Sequence, residues 1–183
     1  MLLFTRKFKT ALVAAVSLLA VSCGGHSEYH ADYAPFDSVP CNVETNIAST
    51  TTMVKTFPGS YMFKSDYPQY NAIVYYGLVT VPDSGKIHRV LANHFDRMAD
   101  RIGIYESEIR TLPKDSSAYS GWVMVTPQCQ APVQMLATDS ASVALHATME
   151  FTSPQTDSAR VIFPAVEAIA ADMEHLIKNL KQE

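Results

Sequence analysis

Apolar residues follow two periods along this chain of 183 residues, and the switches between them sketch the fold. In residues 86–102, Ile87, Val90, Leu91, Phe95, Met98, Ala99 and Ile102 recur at three, four and seven, which predicts a helix with one apolar face. Gly103 is a natural stop, and Arg101 suits the last turn. The closing stretch repeats this period with Phe163, Val166, Ile169, Ala170, Met173, Leu176, Ile177 and Leu180. Pro164 fits a first-turn position there, and Asp172 and Glu174 precede Lys178 and Lys181 in the order the helix dipole favours.

Period two marks the strands. Residues 51–57 and 60–64 flank a turn at Pro58 and Gly59, and residues 72–81, rich in Val, Ile and Tyr, end at Pro82, Asp83, Ser84 and Gly85. Residues 104–110 read as a partly exposed strand or as a connection, while 119–125 and 131–138 read as strands. The best alternation is in 141–151, where Val143, Leu145, Ala147, Met149 and Phe151 interleave with Ser142, Ala144, His146, Thr148 and Glu150. Asp139 and Ser140 form a turn before it, which favours antiparallel pairing. Together these elements predict an α+β domain, an antiparallel β-sheet covered by helices.

The first 23 residues follow neither period. Arg6, Lys7 and Lys9 precede an apolar run from 11 to 21 that is too short to span a bilayer, which describes a secretory signal. Ala20, Val21, Ser22 and Cys23, followed by Gly24 and Gly25, resemble the lipobox of bacterial lipoproteins, with Ala20 where Leu is usual. That resemblance implies lipidation of Cys23, with palmitate among the chains, and anchoring to a membrane. The expected organisation is residues 1–22 as signal peptide, 23–38 as lipidated N-terminus and flexible tether, and 39–183 as a single domain. His26 and His30 fall in the tether.

Composition adjusts this picture in two ways. The intact chain carries a net charge of −4, and its first 22 residues hold three positives and no negatives, so the mature chain is at −7. Such a balance excludes an electrostatic case for nucleic acid as a partner. Cys41 and Cys129 remain after Cys23, and export makes them disulfide candidates; neither has a neighbour at metal-ligand spacing, so no metal or cofactor is expected.

Candidate chemistry is sparse. The chain contains no Gly-rich phosphate loop, no HExxH and no GxSxG. Glu106 and Glu108 share one face of a strand, more simply as solvated charges than as an acid–base pair. His88 and His94 lie six apart and point to different sides of their helix. His146 and Glu150 read as an exposed pair, and His175 as part of a solvated helix face. Asp37–Ser38–Val39, Asp139–Ser140–Ala141 and Asp157–Ser158–Ala159 look like the O-glycosylation acceptor of Bacteroidota, so Ser38, Ser140 and Ser158 are glycosylation candidates.

Residues 136–151 (LATDSASVALHATMEF) and 164–180 (PAVEAIAADMEHLIKNL) resemble the C-terminal half of the gliding-motility lipoprotein GldD family. Thr138, Asp139, Ser140, Met149 and Phe151 carry the first part, and Pro164, Glu167, Ile169, Asp172, Glu174, His175, Leu176 and Ile177 the second, which is the sharper. Asp66, Tyr67, Pro68, Tyr70, Asn71 and Ala72 match a third segment, while Ser60 and Tyr61 stand where the family has a second cysteine. The resemblance implies a non-enzymatic lipoprotein, with envelope proteins of gliding motility or type IX secretion as partners. It also makes Asp172, Glu174 and His175 a candidate contact surface. Gly24, Gly25, His26, Ser27 and Glu28 lack the dense acidic patch associated with surface export, so a periplasm-facing anchor on the outer membrane is expected. The order of elements is similar to a PsbP/Mog1-like α-β-α sandwich. The alternative is a lipoprotein that binds a small molecule or glycan in a pocket lined by Trp122, Tyr75 and Tyr76; a hydrolase using Glu106 or His146 ranks below it.

Overall fold

A computed structural model describes residues 31–102, 106–112, 120–153 and 159–182. The chain opens with three short strands, β1 (Tyr33–Pro35), β2 (Cys41–Asn42) and β3 (Glu44–Asn46). Strands β4 (Thr50–Phe57), β5 (Ser60–Tyr67) and β6 (Ala72–Thr80) then form a meander. Gly59 makes its first tight turn at φ 71°, a conformation that a residue with a Cβ resists. Helix α1 (Ser84–Ile102) carries the chain to the far edge of the same sheet. A second meander returns through β7 (Glu108–Leu112), β8 (Ser120–Val125), β9 (Val133–Thr138) and β10 (Val143–Phe151). Helix α2 (Ala159–Asn179) and a short β11 (Lys181–Gln182) close the chain.

The two meanders meet where β10 pairs with β6, giving one seven-stranded antiparallel sheet in the order β4-β5-β6-β10-β9-β8-β7. The expected α+β architecture is therefore present. In β10 the period-two alternation sends Val143, Leu145, Ala147 and Met149 to one side and Ala144, His146, Thr148 and Glu150 to the other. α2 covers the first side, where Ile169, Met173 and Ile177 join Leu145, Met149 and Val123 in the main core. α1 covers part of the second, with His94 stacked on His146 and Arg101 reaching Glu150. No helix among the described residues is long and apolar enough to cross a membrane.

Two local expectations need correction, and one open reading is resolved. The domain begins before Val39, because β1 pairs with β3 and Phe36 packs against Phe63; residues 33–38 are thus part of the fold and not of a free tether. α2 starts at Ala159, so Pro164 lies in its second turn, where a proline removes one helical hydrogen bond. The segment around 104–110 resolves into edge strand β7, which extends to Leu112.

Candidate functional site

The helical period of α2 carries one acidic residue into the interior. Asp172 sits among the aliphatic positions and is 5% exposed, facing the layer formed by β1 and β3. Three side chains donate to its carboxylate: Tyr33 Oη to Oδ1 at 2.8 Å, Asn46 Nδ2 to Oδ2 at 2.9 Å and Tyr67 Oη to Oδ2 at 3.1 Å. A buried carboxylate is tolerated when its lone pairs are filled in this way. Burial, Tyr76 and the adjacent Asp172 raise the Tyr67 phenol well above its ordinary range, and burial pushes Tyr76 up to about 12. Both phenols therefore stay protonated at neutral pH and remain donors. Hydrogen bonds continue from Tyr67 to Tyr76 and Ser65, and Ser65 Oγ lies 2.8 Å from Thr51 Oγ1.

One turn along α2, His175 is half-buried and grips the same segment. Its ring stacks on Tyr33 with centroids 3.5 Å apart, and its Nε2 is 2.8 Å from Glu44 Oε2. Glu174 points elsewhere, to Arg110 Nη1 at 3.5 Å and Lys178 at 3.9 Å. Arg110 also holds Glu108 and Glu167 at 2.9 Å, tying β7 to α2. The candidate contact surface thus divides. Asp172 is an interior anchor and offers nothing to a partner, His175 fastens β1 and β3, and Glu174 stands in a surface ion-pair network. The partners Tyr33, Glu44, Asn46 and Tyr67 were not identified from the sequence, because contacts such as Tyr33 to Asp172 span 139 residues with no local pattern to mark them.

On the other side of the sheet, His146 is not part of an exposed pair with Glu150. It lies under α1 at 4.0 Å from the His94 ring, in space left by Gly77, whose missing Cβ would collide with the imidazole. Burial lowers His94 to about 3, helped by His146, Arg97 and Arg101; burial and the two arginines lower His146 to about 4. Both rings are neutral at pH 7. Glu106 is exposed, and the Arg110 guanidinium holds Glu108 below the usual carboxylate range, so the two acids form no shared site.

The Cys41–Cys129 bridge is not formed, and both thiols are buried. Cys41 pairs with Gln182 just beyond the C-terminal end of α2, whereas Cys129 lines a cleft with Ile162 near the helix's start. Asn179 lies seventeen helical steps beyond Ile162, about 25 Å at 1.5 Å per residue, far beyond the roughly 7 Å that a disulfide tolerates between Cα atoms. Cys129 Sγ donates instead to the Ala131 carbonyl at 2.9 Å, and burial raises its pKa, which opposes nucleophilic use.

The expected aromatic pocket is not assembled either. Tyr75 and Tyr76 are consecutive in β6 and face opposite sides; Tyr75 is exposed and Tyr76 stacks on Phe63 in the core. Trp122 meets Phe95 of α1 edge-on. The cleft beside Cys129 has a volume of about 1100 Å³ and is bordered by Arg101, Gln128, Glu150, Phe151 and Ile162.

Ser38 is exposed in the turn after β1. Ser140 is exposed at φ 64°, in a turn that the Asp139 carboxylate organises by accepting from the N–H groups of Ala141, Ser142 and Val143. That Asp–Ser pair has a complete account as turn chemistry. Ser158 and Cys23 lie outside the described residues, as do His26 and His30.

The fold defines an α+β domain with a two-sided antiparallel sheet. The chain matches no protein-family model and no curated protein.

Proposed function

We propose that this protein is a lipid-anchored, periplasm-facing domain, an accessory of gliding-motility or type IX secretion-related envelope machinery that acts through protein contacts and not by catalysis. The observation that carries the reading is the leader, with its basic start, short apolar run and Ala20–Cys23 lipobox pattern. The resemblance of residues 136–151 and 164–180 to the GldD family supports the choice of machinery, and the absence of a dense acidic patch in residues 24–28 supports a periplasm-facing anchor on the outer membrane. A PsbP/Mog1-like sandwich is the finer fold consistent with this proposal. The fold supports it at one further point. Tyr33, in the first strand of the domain, is held by both Asp172 and His175, so the end of the domain that a lipid at Cys23 would pull on is fastened to α2.

Crosslinking in intact cells, followed by mass spectrometry of co-purifying proteins, tests the proposal. Envelope secretion or motility components should be recovered with the wild-type chain and lost with Cys23→Ser. Recovery of none of them from wild-type cells contradicts it. A second reading, small-molecule or glycan binding, is favoured by the cleft at Arg101, Cys129 and Glu150. Saturable binding of a glycan to the wild-type chain, abolished by Arg101→Ala, would support that reading.

A further inference from the structure

Among the described side chains of α1, Ile87 and Met98 are the fully buried apolar ones, with Val90 and Leu91 half-buried between them. On the side of the sheet that carries His146, β9 and β10 present Gln134, His146 and Thr148 beside the apolar Leu136 and Ala144, a floor of mixed polarity. His94, the remaining buried residue of α1, stacks on His146, and its Nε2 has no hydrogen-bond partner among the described residues. Neither end of the Gln134 amide has one, although Gln134 is 1% exposed. Gln134 is in register with Thr148, two positions from His146 on the same side of β10. A buried polar atom without a protein partner contributes less to docking than one that is paired.

We propose that α1 is a releasable layer, which lifts from β9 and β10 while the sheet and α2 stay folded and so opens the floor of Gln134, His146 and Thr148 to solvent. The charges around the histidine pair make release respond to acid. Arg97 and Arg101 approach from α1, and β10 contributes Glu150, whose carboxylate is 3.8 Å from Arg101. β6 presents Gly77 and Tyr75, β9 presents Gln134, and Lys64 on β5 is paired with Asp66. No carboxylate is therefore left over to hold an imidazolium beneath the helix among these groups.

With His94 held to about 3 and His146 to about 4 while α1 is down, both fall below the ordinary value of 6.5. The released form binds protons more readily, so docking is strongest above pH 6.5 and weakens as pH falls from there towards 4. The opening constant should rise up to about tenfold per pH unit for each histidine freed.

Hydrogen exchange on the full chain, corrected for the intrinsic rate at each pH, tests this. At pH 7 the amides of α1 should exchange through openings at least about 100-fold more populated than those that expose α2, and the gap should widen at pH 5. Gln134→Met, which keeps the volume and removes both orphan atoms, should slow exchange in α1. His94→Leu should also slow it and flatten its pH dependence. Equal opening of the two helices, a pH-independent ratio, or faster α1 exchange in Gln134→Met would overturn the proposal.

Discussion

α2 buries Ala165, Val166, Ile169, Ala170, Met173, Leu176 and Ile177 against one side of the sheet, while α1 sets Ile87 and Met98 against the other. Polar chemistry differs in the same direction. Asp172, a buried acid of α2, receives hydrogen bonds from Tyr33, Asn46 and Tyr67, whereas His94 of α1 and Gln134 of β9 have atoms without a hydrogen-bond partner among the described residues. The lesson is that an amphipathic period specifies which face of a helix turns inward but not how firmly that face is held. Firmness depends on what the sheet offers back, and here β9 and β10 are aliphatic towards α2 but mix Gln134, His146 and Thr148 with Leu136 and Ala144 towards α1.

The largest expected effect is on the α2 side. Asp172→Ala removes the acceptor of the buried Tyr67 hydroxyl, the half-buried Tyr33 hydroxyl and the Asn46 amide at once and should lower unfolding stability by about 3–5 kcal/mol in chemical denaturation. Met173→Ala should cost somewhat less, about 2–4 kcal/mol, through the cavity left in the main core. On the α1 side, Gly77→Ala drives a methyl into the His146 ring; it should cost about 1–3 kcal/mol and shift the Trp122 fluorescence reporting on Phe95 and α1. Lys64→Ala, which removes a surface pair with Asp66 at 2.9 Å, should change stability by less than about 0.5 kcal/mol. If Gly77→Ala cost more than Asp172→Ala, the contrast between the two sides would be reversed.

pH separates the sides further. The histidine pair has folded pKa values below its unfolded ones, so its contribution is complete above 6.5 and is lost as pH falls towards 4 and 3. Tyr67 and Tyr76 are raised above the ordinary 10, so theirs is complete below pH 10 and is lost as pH rises towards 12. Circular dichroism with tyrosinate absorbance should show the α1 side failing in acid and the α2 side in alkali.

Much of this architecture was legible from local patterns. The two helices, the hairpin turn at Gly59 and the alternation of Val143 to Phe151 each follow from period and turn chemistry acting over a few residues. The Asp172 anchor was not legible, because Tyr33, Asn46 and Tyr67 come from three distant strands. The cover over His146 has a related origin: period two gives its side of the sheet, but only tertiary packing reveals that α1 covers that side. The Cys41–Cys129 expectation failed on distance, which no residue spacing encodes.

A lipid-anchored domain acting by contact depends first on Cys23, and metabolic labelling with an alkyne palmitate analogue reads that residue directly. Wild-type chain should take up the label and sediment with membranes, and Cys23→Ser should do neither while its domain folds with unchanged stability. An unlabelled wild-type chain recovered in the soluble fraction would contradict the account.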